Sequence, residues 1–77
     1  MHANFHAQEH SWLRAAKRKF EQRDLDDATL DQRKNFFIED LRNVLNPTVS
    51  DKPAVQNLVD RIDEMPTDDF WAFHKTL

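Results

Sequence analysis

Glycine is absent from all 77 residues. Phosphate-binding loops and dinucleotide fingerprints need glycine for positive φ and close backbone approach, so both are excluded. Two-residue hairpins lean on the same residue. Cysteine is absent too, which removes disulfides and thiolate metal clusters. Tyrosine is missing, and proline occurs only at Pro47, Pro53 and Pro66. No apolar run approaches the roughly 20 residues needed to span a bilayer. No apolar segment of the signal-peptide kind follows the N-terminus, and the expectation is a cytoplasmic protein without membrane contact.

What remains is rich in helix formers. The class expected is all-α, as one domain over 1–77: a small bundle of three amphipathic helices plus a short C-terminal helix. The net charge of −3 hides a polarity. Residues 1–23 hold five Lys/Arg against Glu9 and Glu21, a balance of +3, and residues 24–77 hold six against twelve Asp/Glu, a balance of −6.

Periodicity and caps place four helices at about 4–23, 30–45, 53–65 and 68–77. In the first, Phe5, Trp12, Leu13, Ala16 and Phe20 form one stripe, with Arg14, Lys17, Arg18 and Glu21 opposite. Thr29 with Gln32 fits a reciprocal capping box before the second helix. There Leu30, Phe37, Leu41, Val44 and Leu45 make the buried face, with Ile38 at its edge. Asn46-Pro47 is expected to stop that helix, with Asn46 in the left-handed conformation. Ser50 or Asp51 starts the third helix, and Pro53 sits in its first turn. Val55, Leu58, Val59, Ile62 and Met65 form its stripe. Thr67 is expected to cap the last helix, with Asp68 and Asp69 complementing its dipole and Phe70, Phe73 and Leu77 making its buried face.

Chemistry-bearing motifs are few. His2, His6 and His10 recur at a spacing of four, which stacks side chains along a helix edge and suits a transition metal. Two converging imidazoles are too few for a protein site, and on a helical wheel the three drift apart. No metal and no cofactor is expected, and the histidines read as a polar helix edge. The turn holding Asp24, Asp26, Asp27 and Asp31 lacks the glycine of an EF-hand loop, and its twelfth position is Asn35 instead of glutamate. It reads as cap and turn chemistry. No nucleophile has a base at a defined spacing, so catalysis is not expected.

The expectation is therefore a non-catalytic helical protein that binds and modulates a larger protein partner, as small phage or bacterial regulators and inhibitors do. A nucleic-acid-handling complex is one such partner. The contact candidates are the basic face of the first helix (Arg14, Lys17, Arg18), the acidic residues Asp60 and Glu64, and the aromatics Phe36 and Trp71 with neighbouring His74. Phe36 lies on the wheel opposite the buried stripe, and Trp71 flanks its helix; either is covered by another helix of the bundle or is an interface anchor. The alternative is a small DNA-binding or nucleoid-associated modulator led by the same basic face.

The stretch "IDEMPTDDFWAF", residues 62–73, resembles the end of the Hha/YmoA family of small helical nucleoid-associated modulators. There too a helix stops at a proline before a tryptophan-bearing terminal segment. The resemblance implies a protein that acts by binding another regulator.

Overall fold

In the computed structural model, residues 4–77 are described. Four helices follow in order: α1 (Ala7–Phe20), α2 (Leu30–Leu45), α3 (Lys52–Glu64) and α4 (Thr67–His74). No strand occurs among the described residues. The fold is the expected all-α bundle with a short C-terminal helix.

α2 is the central element, packed by each of the other three. It runs antiparallel to α3. The Lys34 ammonium near its start donates to the carbonyls of Asp63 and Met65 at the end of α3. Arg42 near its end donates to Gln56 in the first half of α3. The core joins Leu13 and Ala16 of α1, Phe37, Leu41 and Leu45 of α2, Val55, Leu58, Val59 and Ile62 of α3, and Phe70 of α4. Each fully buried side chain of this size contributes roughly 1.5–3 kcal/mol over leaving it in water.

Several local expectations need correction. α1 begins at Ala7, not near Asn4, because His6 is its N-cap. His6 Nδ1 accepts from the Glu9 N–H at 3.3 Å, and Glu9 Oε1 accepts from the His6 N–H at 3.2 Å. Phe5, just before the cap, meets His10 edge-on at 6.2 Å, the position of a hydrophobic staple. Phe5 therefore serves the entry of α1 and is not part of its helical stripe.

Leu30 was expected in the buried face, but it is 51% exposed. It is the first residue of α2, and its place on the core-facing row is taken one turn later by Lys34. Asn46 is right-handed at φ −57°, not left-handed. The carbonyls at the end of α2 find other donors: the Val49 N–H bonds to Leu45 at 2.8 Å, and Lys52 donates to Asn46 and Val49. Thr67 is the first residue of α4 instead of its cap. Pro66, held extended at ψ 144°, occupies the cap position without a side-chain bond, and the Thr67 hydroxyl donates to Asp31 instead.

The caps at Thr29–Gln32 and Asp51, the early Pro53, and the acidic first turn of α4 all stand where the sequence placed them. Among the described residues no helix is long and apolar enough to cross a membrane.

A cationic face on the first helix

The fate of the arginines separates structural charges from free ones. Arg23 forks onto Asp40, donating from Nε and Nη2 at 2.9 Å each, while its guanidinium lies 4.7 Å from the Phe36 ring centre. Asp40 is 1% exposed, so its charge depends on this fork. The pairing with Asp40, opposed by burial and helped by Glu39, raises the Arg23 guanidinium above its ordinary value. Arg33 donates to the carbonyls of Ala28 and Leu25 at 3.0 and 2.8 Å, closing the α1–α2 loop. Arg42 reaches Gln56. Arg61 bonds to Glu9, to Asn57 and to the carbonyl of Asn4, and covers the Phe5 ring at 5.1 Å.

Arg14 and Arg18 differ from these four in having no partner, although Arg42 is exposed as they are. Both are exposed, stand one turn apart on α1, and form neither a hydrogen bond nor an ion pair among the described residues. Lys19, adjacent on the same helix, is exposed and free in the same sense. Lys17 is not free. Its ammonium donates to the carbonyls of His74 at 3.3 Å and Leu77 at 3.1 Å at the end of α4, the first of which also accepts from the Leu77 N–H. That bond ties the last turn of α4, with exposed Lys75, to α1. Arg14, Arg18, Lys19 and Lys75 thus gather on α1 and the turn fastened to it.

The other expected contact residues are distributed differently. Asp60 and Glu64 are exposed on α3, with Asp60 accepting from Gln56 at 2.7 Å. They lie on a different helix from the cationic face. Phe36 is half-buried beneath Arg23, so its ring face is in use. Trp71 is half-buried as well. Its indole N–H donates to the Leu30 carbonyl at 3.2 Å, and its rings meet Phe70 at 4.7 Å, His74 at 5.0 Å and Phe20 at 5.7 Å. Trp71 serves first to dock α4 on α1 and α2.

His74 completes that cluster. Its ring centre lies 5.6 Å from Phe37 and 6.0 Å from both Phe20 and Phe70, as well as against Trp71. Nε2 is buried and has no hydrogen-bond partner among the described residues. Burial, and then the nearby Lys17 ammonium, lower the imidazole below its ordinary value; Glu21 acts in the opposite sense.

Of the three histidines at the start, His2 lies outside the described residues. His6 spends Nδ1 on the cap, and His10 lies against Phe5 and Phe73. Among the described residues no group of three His, Asp or Glu is placed to hold a metal ion. A shallow groove between the N-terminal segment and α3 is lined by Phe5, His6, Glu9, Ala54, Asn57 and Arg61. The polar groups Glu9 and Arg61 in it are already paired with each other.

Sequence reasoning missed Glu9, Lys34 and Asp40, three charged residues that are buried. A signal was present. Glu9 stands four residues before Leu13, and Lys34 stands three before Phe37, both on apolar stripes. A charge on such a stripe implies a partner in the fold.

These features define a small helical bundle whose first helix carries exposed, unpaired arginines on its outer face, with exposed Glu21 beside them. No family model matches the chain, and no curated protein and no solved structure does either. The likeness of residues 62–73 to the Hha/YmoA terminus therefore stays local.

Proposed function

We propose that this chain is a non-catalytic interaction protein that binds and modulates a larger, acidic protein partner through the outer face of α1. One observation carries the reading. The arginines at 23, 33 and 61 are spent on holding the fold and exposed Arg42 reaches Gln56, whereas Arg14 and Arg18 are exposed and unpaired one turn apart. Arginine is well suited to bidentate recognition of carboxylates. Lys19 and Lys75 extend the same charge. A cytoplasmic regulator or inhibitor of phage or bacterial type is the setting we favour.

A protein partner is preferred to duplex DNA because the rest of the chain opposes a polyanion that wraps beyond one face. Residues 24–77 carry −6. Charge complementarity of limited extent steers association and selects partners.

The test is affinity capture from a nuclease-treated lysate of the native host, with the wild type and an Arg14→Glu/Arg18→Glu double variant side by side. A protein retained by the wild type and lost with the double variant supports the reading. Capture that survives charge reversal overturns the face. Binding of purified protein to nonspecific duplex with a steep loss in salt would replace it with the nucleic-acid reading, because each neutralised phosphate releases counterions.

A further inference from the structure

We infer that His74 is a proton-operated latch on the last turn of α4, and that opening it releases Lys17 into the cationic face of α1. This rests on the function proposed above and adds its regulation.

The argument starts from the environment of one nitrogen. His74 Nε2 is out of water and has no hydrogen-bond acceptor among the described residues. A neutral imidazole tolerates this by placing its lone pair there, with the proton on Nδ1. The imidazolium carries a proton on both nitrogens, so Nε2–H would be buried without an acceptor. Around it, α2 presents the Phe37 ring, and α4 itself supplies Phe70 and Trp71. α1 supplies the Phe20 ring and two charges, Lys17 and Glu21. Burial, and then the Lys17 ammonium, hold the imidazole below its ordinary value against the Glu21 carboxylate.

Trp71 opens the last turn and is tied to the Leu30 carbonyl and the Phe20 ring, and the residues beyond it have fewer ties to the other helices. Phe70, one turn earlier, is fully buried and anchors the start of α4. After it, Phe73 leans on Phe5 at 4.9 Å, and the carbonyls of His74 and Leu77 accept from Lys17. Local opening of such an end costs far less than global unfolding. When His74 takes a proton from solvent, the imidazolium gains hydration by swinging outward, and the His74 and Leu77 carbonyls leave Lys17. The freed ammonium lies on the helix that carries Arg14 and Arg18, three residues from the first and next to the second.

The experiment uses the full chain with Trp12→Phe, so that Trp71 alone reports, and an oligo-aspartate peptide as the acidic probe. From pH 8 to pH 5, Trp71 emission should shift red and become iodide-quenchable below about pH 6.5, the ordinary histidine value. Helical circular dichroism should persist. His74→Phe, and independently His74→Gln, should abolish the shift. Affinity for oligo-aspartate should rise about threefold over the same range, the scale of one exposed ion pair. Lys17→Gln should cancel that rise.

Trp71 emission that ignores pH, that still shifts in both His74 variants, or that shifts only with loss of helix overturns the latch. A Trp71 transition with oligo-aspartate binding that is measurable but does not tighten overturns the role of Lys17. Oligo-aspartate that binds at no pH, while Trp71 responds as described, leaves the latch standing and removes the acidic-partner reading instead.

Discussion

Arg23 and Asp40 form a two-pronged ion pair, with both bonds at 2.9 Å, between the turn after α1 and the middle of α2. The carboxylate is buried, and the guanidinium side chain is 28% exposed. Removing the arginine strands a charge with no water to replace it. Breaking a buried pair costs about 3–5 kcal/mol, and the exposed edge of Arg23 puts this one nearer the low end. Arg23→Ala should therefore lower the unfolding free energy by about 3 kcal/mol in urea titration. Removing both charges with Arg23→Met/Asp40→Leu should recover most of the loss. A single variant within about 0.5 kcal/mol of wild type, the ordinary surface range, would mean that the pair is not formed in solution.

His6 is a helix cap, so its replacement should be read as loss of a cap. His6→Ala should destabilise by roughly 1 kcal/mol, the usual cost of deleting an N-cap acceptor. His6→Asp should restore stability, because aspartate accepts from the same N–H and adds a charge at the positive end of α1. Thermal melts of the three proteins decide this. His10→Gln removes only a ring against Phe5 and Phe73 and should cost less than His6→Ala.

The two tryptophans should differ in solution. Trp71 donates to the Leu30 carbonyl and is packed by three aromatic rings, whereas the indole N–H of Trp12 makes no hydrogen bond among the described residues. With Trp12→Phe, emission at pH 8 should be blue-shifted and resist iodide. Trp71→Ala should cost stability first, by about 2–3 kcal/mol, below the 3–5 kcal/mol of a fully buried tryptophan. A ready iodide response at pH 8 would put the indole outside the aromatic cluster.

Stability should fall in mild acid through His74. Its folded value is lowered, and its unfolded value is about 6.5. Between those two values the unfolded chain binds the extra proton. The contribution is therefore fully present above about pH 6.5 and is lost as pH falls through the folded value. Urea midpoints at about pH 7.5 and pH 5 should differ less in His74→Gln than in the wild type. Equal differences in the two proteins would remove His74 as the source.

The sequence by itself determined the class, the four segments and the N-caps of α2 and α3. These are local matters: a period near 3.6, a Thr29–Gln32 pair three apart, Asp51 and Pro53 at a helix start. Short-range geometry fixes each of them, so no knowledge of neighbours was required. The near-complete burial of Ile62 followed from the α3 stripe in the same way. Which polar groups were free was decided only by the tertiary structure. Lys17 and Arg18 are adjacent in sequence and equally basic, yet one caps α4 from 57 residues away and the other is exposed and unpaired. Trp71 looked unclaimed because the acceptor for its indole lies 41 residues earlier, on another helix. A cation or an indole is claimed by whichever acceptor the packing brings near, and the pattern of one helix carries no information about that distance.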